Sequence, residues 1–196
     1  MIGGHCLGAN IALHFAARHP ERTSGLILIE PMPPAALIGH MRWLRRLRFL
    51  VRLVALAARG GNALGLKRRR IGTVNLRDWD LAAASGTREL ASFGSPLSDL
   101  RHTPTAAYFQ GVLGVVEPLP PAAAIRCPVL VLLSHNSSMT DPALTRAAMQ
   151  ALDAVEIVEL AARHWIPTEQ PEAMRAAIEA WLARRAPGTA TAGPRP

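Results

Sequence analysis

Gly4-His5-Cys6-Leu7-Gly8 stands near the start of the chain, directly before an apolar run with helical spacing. The pattern Gly-x-Cys-x-Gly at this place is typical of a strand that turns sharply into a helix. We expect Cys6 to adopt a strained backbone conformation that presents its side chain, and Gly4 and Gly8 to leave room for the turn. The partial positive charge of the helix N-terminus favours a thiolate at Cys6. The stretch therefore predicts a reactive cysteine at a strand-to-helix turn, which we call the elbow.

Short continuous apolar runs predict buried parallel strands at residues 26–29 and 129–133, and residues 155–160 have a strand-like pattern. Helices are expected over residues 10–19, from Asp141-Pro142 onward, and over residues 171–184, where apolar side chains recur on one side. Strands that alternate with helices in this way indicate an α/β fold with a mostly parallel sheet.

Four motifs follow one another along the chain: GHCLGA at residues 4–9, HPER at 19–22, CPVLV at 127–131, and His164 with EQPE at 169–172. Their order resembles that of the C-terminal half of an α/β-hydrolase, and the chain resembles that superfamily from residue 4 to residue 182. The resemblance implies a partial α/β-hydrolase fold, with a mostly parallel sheet and a helical cap insertion.

The same resemblance divides the chain into parts. Residues 1–30 and 124–185 are expected to form the core sheet, and residues 31–123 the cap, while the tail at 186–196, rich in Pro, Gly, Ala and Thr, is expected to be disordered. In the superfamily four or more strands precede the elbow, whereas three residues precede it here. We therefore expect an N-terminally truncated chain. The second oxyanion donor would come from the missing part, and without that part the sheet would expose an unpaired edge.

The resemblance also implies a catalytic set at the elbow. Cys6 is the expected nucleophile, His164, in the loop after the last strand, is the expected base, and the backbone N–H of Leu7 is one expected oxyanion donor. The acid stays open between Asp141 and Glu30. No cofactor and no metal are expected.

Each candidate acid has an argument. Asp141 follows the strand after which the superfamily usually places its acid, but it lies four residues beyond the expected position, next to Pro142, where an ordinary helix N-cap explains it equally well. Glu30 ends the strand that follows the elbow, a position where some relatives carry their acid. A carboxylate at either strand end could hold the imidazole tautomer.

The net charge of +8 is concentrated in one segment. Residues 31–77 contain no Asp or Glu and hold eleven of the 22 basic residues. Within them, residues 41–58 predict a cationic amphipathic helix whose apolar face is Trp43, Leu47, Leu50, Val51 and Val54. Three interpretations remain: a cap helix packed over the active site, contact with a membrane surface or lipid-like substrate, and recognition of an anionic group. Nucleic acid is not expected, because no recognition motif accompanies the charge.

The sequence thus predicts an enzyme that cleaves or transfers an acyl group of an ester, thioester or lactone through a Cys-His-acid triad. A small hydrophobic acyl compound is the expected substrate. The alternative is an inactive fragment or binding module whose basic helix contacts anionic lipid. Cys6 and Cys127 are too few for a disulfide framework, so a cytoplasmic location is expected.

Overall fold

The computed structural model describes residues 1–64, 100 and 103–185. Its strands are β1 (Ile2–His5), β2 (Leu26–Ile29), β3 (Val129–Ser134) and β4 (Val155–Leu160). Its α-helices in the same part of the chain are α1 (Leu7–Arg18), α2 (Gly39–Arg46), α3 (Arg48–Ala63), α4 (Thr105–Val116), α5 (Pro142–Gln150), α6 (Ile166–Glu169) and α7 (Pro171–Ala183). The predicted α/β class is confirmed, and β2, β3 and β4 lie where the sequence predicts strands.

The described strands form one parallel sheet in the order β1-β2-β3-β4. In its register His5 lies beside Ile29, and Ile29 lies beside Leu132. The carboxyl ends of the strands therefore meet at one edge, which is where open α/β sheets bind their ligands. Cys6 and Glu30 directly follow β1 and β2, so the fold brings them to this edge together.

Helices cover both faces of the sheet. All six residues of β3 are buried, as expected for an inner strand of a parallel sheet. On one face the strands pack against α1 and α5, around buried residues such as Leu13 and Met149. On the other face they pack against α7, whose Trp181 is fully buried. The two layers of helices hold the strand ends in place.

The helices between β2 and β3 differ from the sequence prediction. The prediction of a single helix over residues 41–58 is wrong. The helix is interrupted at Leu47, where φ is −97° and ψ is 18°, so that α2 ends there and α3 begins after it. Helix α3 packs against α4, and the residues it buries are Val51 and Ala55. Of the five residues in the predicted apolar face, Val51 is buried and the other four are exposed. The face is therefore not packed over the strand ends.

The division of the chain into core, cap and tail stays a prediction. The tail at residues 186–196 lies outside the described residues, as do residues 65–99 of the predicted cap. Among the helices that the structure describes, none is long and apolar enough to cross a membrane.

Candidate active site

Cys6 occupies the sharp turn between β1 and α1. Its φ of 55° and ψ of −120° lie in a region that residues with a side chain rarely adopt. Three main-chain hydrogen bonds hold the turn: Cys6 N donates to the Ile29 carbonyl at 2.9 Å, and the Cys6 carbonyl accepts from Ala9 N at 3.0 Å and from Asn10 N at 3.4 Å. Such a conformation costs about 1–3 kcal/mol, which the surrounding structure must offset. The predicted strained turn is confirmed.

The two glycines of the pentapeptide have different roles. A Cβ on Gly4 would lie 2.3 Å from the carbonyl carbon of Gly8, so no side chain fits there. A Cβ on Gly8 would have no neighbour within 4 Å. The expectation that both glycines leave room for the turn is therefore correct for Gly4 and wrong for Gly8, because only Gly4 faces the returning backbone of α1.

Glu30 lies at the end of β2 with its carboxylate buried against His164. Oε2 of Glu30 is 3.2 Å from Nδ1 of His164, and the two side chains are 3% and 1% exposed. Oε1 accepts a hydrogen bond from the backbone N of Ser134 at 2.5 Å. The Ser134 hydroxyl in turn donates to the carbonyl oxygen of Arg163, which ties the histidine loop to the end of β3. Both oxygens of Glu30 are thus held by the site.

Opposing influences act on the protonation of His164. Burial, the largest, lowers the pKa of the imidazole, but hydrogen bonds with the Cys6 side chain and with Glu30, together with the charges of both groups, raise this pKa to about 9. The ring is therefore an imidazolium at neutral pH.

Asp141 lies at the start of α5 and caps it. Its Oδ1 accepts a hydrogen bond from the backbone N of Leu144 at 3.0 Å, which is the usual N-cap interaction. Among the described residues, the carboxylate that contacts the His164 ring is that of Glu30. The structure therefore brings Cys6, His164 and Glu30 together, and places Asp141 in a capping position instead.

His5, which the sequence analysis did not select, supports the histidine loop. Its Nε2–H donates to the carbonyl oxygen of His164 at 2.8 Å. Its ring lies 5.0 Å from the His164 ring and 5.3 Å from the ring of Trp165, measured between centroids. Burial is the main cause that lowers the pKa of His5, so the ring is neutral at neutral pH. The signal in the sequence was its position at the carboxyl end of β1, beside the nucleophile candidate.

Met32 and Asn10 also belong to the site without having been predicted. Sγ of Cys6 lies 3.0 Å from Sδ of Met32. The backbone of Met32 is held by the buried side chain of Asn10, whose Nδ2 donates to the Met32 carbonyl at 2.9 Å and whose Oδ1 accepts from the Met32 N at 3.0 Å. Asn10 thereby fixes the loop after β2 to the elbow helix. A sequence carries no local signal for such a pair, because 22 residues separate its members.

Leu7 is the first residue of α1, where backbone N–H groups have no partner within the helix. Its side chain points towards α4: a Cβ on Gly114 would lie 2.8 Å from Cδ1 of Leu7. Leu7 and Cys6 both border an apolar cluster around Met32, Leu37, Val115 and Val116, which Met41, Leu44, Leu113 and Met139 extend. The sulfur therefore faces a largely aliphatic and thioether surface.

Solved structures with the same fold are numerous. The enol-lactonase from Burkholderia xenovorans LB400 matches with a TM-score of 0.58 and 23% identity, over 92% of this chain and 64% of that chain. A thermophilic esterase from Thermogutta terrifontis matches with a TM-score of 0.57 and 23% identity, over 93% of this chain and 64% of that chain. This chain thus spans less than two thirds of the length of these proteins. No curated protein matches it in sequence.

A family model supports the same assignment. The model described as the alpha/beta hydrolase family matches residues 2–177, which is most of the chain. The match includes the elbow, the helices between β2 and β3, and the loop of His164. The predicted resemblance and the partial α/β-hydrolase fold are confirmed, and the chain belongs to the alpha/beta hydrolase family.

Proposed function

We propose that this chain carries a hydrolase centre that forms an acyl-enzyme on Cys6. His164 is the proton carrier, and Glu30 orients the imidazole and stabilises its charge. The observation that carries the proposal is the buried contact of 3.2 Å between Glu30 Oε2 and His164 Nδ1, on a ring whose pKa the neighbouring Cys6 side chain also raises. Membership of the family supports a hydrolase, and the names enol-lactonase and esterase among the solved structures support ester or lactone substrates.

The chemistry follows from the protonation state of the pair. With His164 as an imidazolium, the Cys6 thiolate attacks the carbonyl carbon of the substrate. The carbonyl oxygen takes up the negative charge and becomes an oxyanion next to the backbone N–H of Leu7. Since Nδ1 contacts Glu30, Nε2 is left to give its proton to the departing alkoxide or thiolate. A thioester on Cys6 remains. Neutral His164 then takes a proton from water as the water oxygen bonds to the thioester carbonyl carbon; the C–S bond breaks, the carboxylic acid leaves, and Cys6 is released as the thiolate beside the imidazolium.

The surroundings of Cys6 would accept a substrate with an apolar acyl group. The cluster that borders Cys6 consists of Met, Leu and Val side chains, and methionines adapt their shape to varied aliphatic partners. Burial of each methylene of an acyl chain against such a surface contributes about 0.8 kcal/mol. We therefore favour esters, thioesters or lactones with an aliphatic acyl part over those with a charged one.

Mass spectrometry of the acylated chain tests the proposal. The chain is incubated with 4-nitrophenyl butyrate and quenched in acid, and the peptide that contains Cys6 is examined for a butyryl group. We expect this adduct together with a burst of nitrophenol, and neither in Cys6→Ala. Cys127→Ala is the matched control, because Cys127 is buried away from the site and its loss should leave the adduct in place.

Two results would contradict the proposal. One is a Cys6 peptide that stays unmodified while Cys6→Ala releases nitrophenol at the rate of the unaltered chain. The other is an adduct that forms equally well after His164→Gln, since the thiolate then would not depend on the imidazolium. A single-turnover readout is used because it registers acylation even where turnover is slow.

A further inference from the structure

Helices α2 and α3 form a surface with charge of one sign. Between Gly39 and Ala63 there is no Asp or Glu, and six arginines are present: Arg42, Arg45, Arg46, Arg48, Arg52 and Arg59. Arg52 is paired with Glu117 at 2.9 Å, and the guanidinium of Arg46 lies over the ring of Trp43. The other four have no carboxylate partner within the described residues. In the part of the chain that the structure describes, no neighbouring carboxylate therefore neutralises the charge of these four arginines.

The same two helices expose large apolar side chains. Seven of them are between 44% and 69% exposed: Trp43, Leu47, Phe49, Leu50, Leu53, Val54 and Leu56. We call these seven residues, with the six arginines, the basic-apolar face. Isolated exposed apolar residues are common in proteins, but a group of this size on two consecutive helices marks an interaction site.

The packing of α3 explains why the face is open. Its buried residues Val51 and Ala55 are four positions apart and form one narrow stripe against α4. Leu50 and Val54 lie on one side of this stripe, and the arginines at positions 48, 52 and 59 lie on the other. A helix that presents aliphatic and cationic sides next to each other suits a boundary between hydrocarbon and anionic groups.

A cavity beside the face has the same mixed character. It measures about 420 Å³ and lies between the first turn of α3 and the end of α4. Arg48, Arg52 and Phe49 line it from α3, Leu113 and Val116 line it from α4, and Glu117, which is paired with Arg52, lines it as well. Arg48 has no carboxylate partner in the described part of the chain, so an amphiphile with an anionic head and an apolar tail fits beside this arginine.

We propose that the basic-apolar face docks on an anionic lipid surface. The leucines and aromatic residues enter the interfacial layer, and the arginines bind the lipid phosphates. A second copy of the chain fits less well, because two such faces would bring arginines against arginines. Nucleic acid fits less well too, since its phosphates would leave the exposed leucines in water. The proposal does not depend on the chemistry at Cys6.

Vesicle flotation tests the docking. Flotation in a density gradient separates bound chain, which rises with the vesicles, from aggregated chain, which sinks. We expect the chain to float with vesicles of phosphatidylcholine and phosphatidylglycerol at a ratio of about 7:3, and not with phosphatidylcholine alone. The bound fraction should fall at least about tenfold when NaCl rises from 0.1 M to 0.5 M, because salt screens the arginine contacts.

Two pairs of variants separate the apolar and the charged contributions. Leu50→Gln/Leu53→Gln should lower binding at least about tenfold without any change of charge, whereas Ile11→Gln/Leu144→Gln, which alters equally exposed residues elsewhere, should bind as the unaltered chain does. Arg45→Gln/Arg59→Gln should also weaken binding. Its control with the same change of net charge is Arg126→Gln/Arg175→Gln, outside the face.

Several outcomes would overturn the docking proposal. These are absence of flotation with anionic vesicles, equal flotation with neutral ones, or equal losses in the face variants and their controls. Capture of an acidic protein partner without any vesicle binding would likewise replace it. Cys6→Ala should float like the unaltered chain, so failure of the docking and failure of the proposed chemistry give different results.

Discussion

At the scale of single residues, the conformation of Cys6 depends on Gly4. The Cys6 φ of 55° turns the chain back so closely that the Gly4 Cα faces the Gly8 carbonyl group. A methyl group there would meet backbone atoms, which cannot move aside as a flexible side chain can. The elbow therefore requires glycine on the strand side of the cysteine and tolerates a side chain on the helix side.

We predict opposite effects of alanine at the two glycines. Gly4→Ala should lower the free energy of unfolding by about 3 kcal/mol or more, the scale of severe overpacking, and should stop acylation of Cys6. Gly8→Ala should change this free energy by less than about 1 kcal/mol, because space is open and alanine favours a helix. Urea denaturation measures both. Similar losses in the two variants would contradict the geometry.

The identity of the acid can be decided by a second pair of variants. Because Glu30 raises the pKa of His164 to about 9 together with Cys6, Glu30→Gln should move the alkaline limb of the acylation rate to lower pH. It should also slow acylation by about 10²-fold or more, since the ring loses its orienting carboxylate. Stopped-flow measurement of nitrophenol release between pH 6 and 10 records both effects.

Asp141→Asn is the matched control for that experiment. It should leave the alkaline limb at its original pH, because Asp141 caps α5 and does not contact the imidazole. Any cost should appear in the free energy of unfolding, by about 1 kcal/mol or less. A shifted limb in Asp141→Asn with none in Glu30→Gln would exchange the two assignments.

At the scale of elements, the loop after β2 is fixed to α1 by Asn10. The side chain satisfies both polar groups of the Met32 backbone, and all of these atoms are buried. Met32 touches the sulfur, and Glu30 begins the same loop. The hydrogen bonds between Asn10 and Met32 therefore set the distance between the end of β2 and α1. A loop of this kind would otherwise have several arrangements.

We predict that Asn10→Ala affects both stability and reactivity. Two buried backbone groups lose their partners, at about 1–3 kcal/mol each, so the free energy of unfolding should fall by several kcal/mol. Acylation of Cys6 should slow by more than the loss of folded chain explains. Thr23→Ala, which removes another buried hydrogen bond far from the site, should lower stability and leave the rate per folded molecule unchanged.

At the scale of the whole molecule, the site affects how stability depends on pH. His164 has a pKa of about 9 in the folded chain and about 6.5 when unfolded, so the folded state holds a proton that the unfolded state releases between these values. This contribution to stability is complete below pH 6.5 and is lost as the pH rises through 9. His5, whose pKa is lowered by burial, acts in the opposite direction and at lower pH.

We therefore predict that the free energy of unfolding decreases by about 2 kcal/mol between pH 6.5 and 8.5, with a slope that approaches about 1.4 kcal/mol per pH unit midway between the two pKa values. This pH range ends below the one in which Cys127 titrates. Burial raises the pKa of that thiol, so Cys127 also lowers the free energy of unfolding as the pH rises, but at higher pH. Urea denaturation at several pH values measures the slope. His164→Gln has no titrating group at this position and should show a flat profile, so an equal slope in that variant would refute the assignment to His164.

The sequence by itself determined the sheet and the turn. The apolar run at residues 26–29 became β2, and the run at 129–133 became β3 with one more residue, because a buried parallel strand needs an unbroken apolar stretch. Residues 155–160 became β4 although Glu156 and Glu159 interrupt their apolar pattern, and this strand is only partly buried. The glycine-flanked Cys6 marked the elbow. These features are local, since each depends on spacings within a few residues.

The tertiary structure alone decided which groups meet. The sequence leaves the acid open between Glu30 and Asp141, because both follow strands. The register of the parallel sheet puts Glu30 beside His164, 134 residues away, and leaves Asp141 to cap a helix. It also decided that the apolar side of α3 is open, since packing on α4 uses only the stripe of Val51 and Ala55. Contacts between distant residues depend on how the elements pack, and no local pattern encodes that.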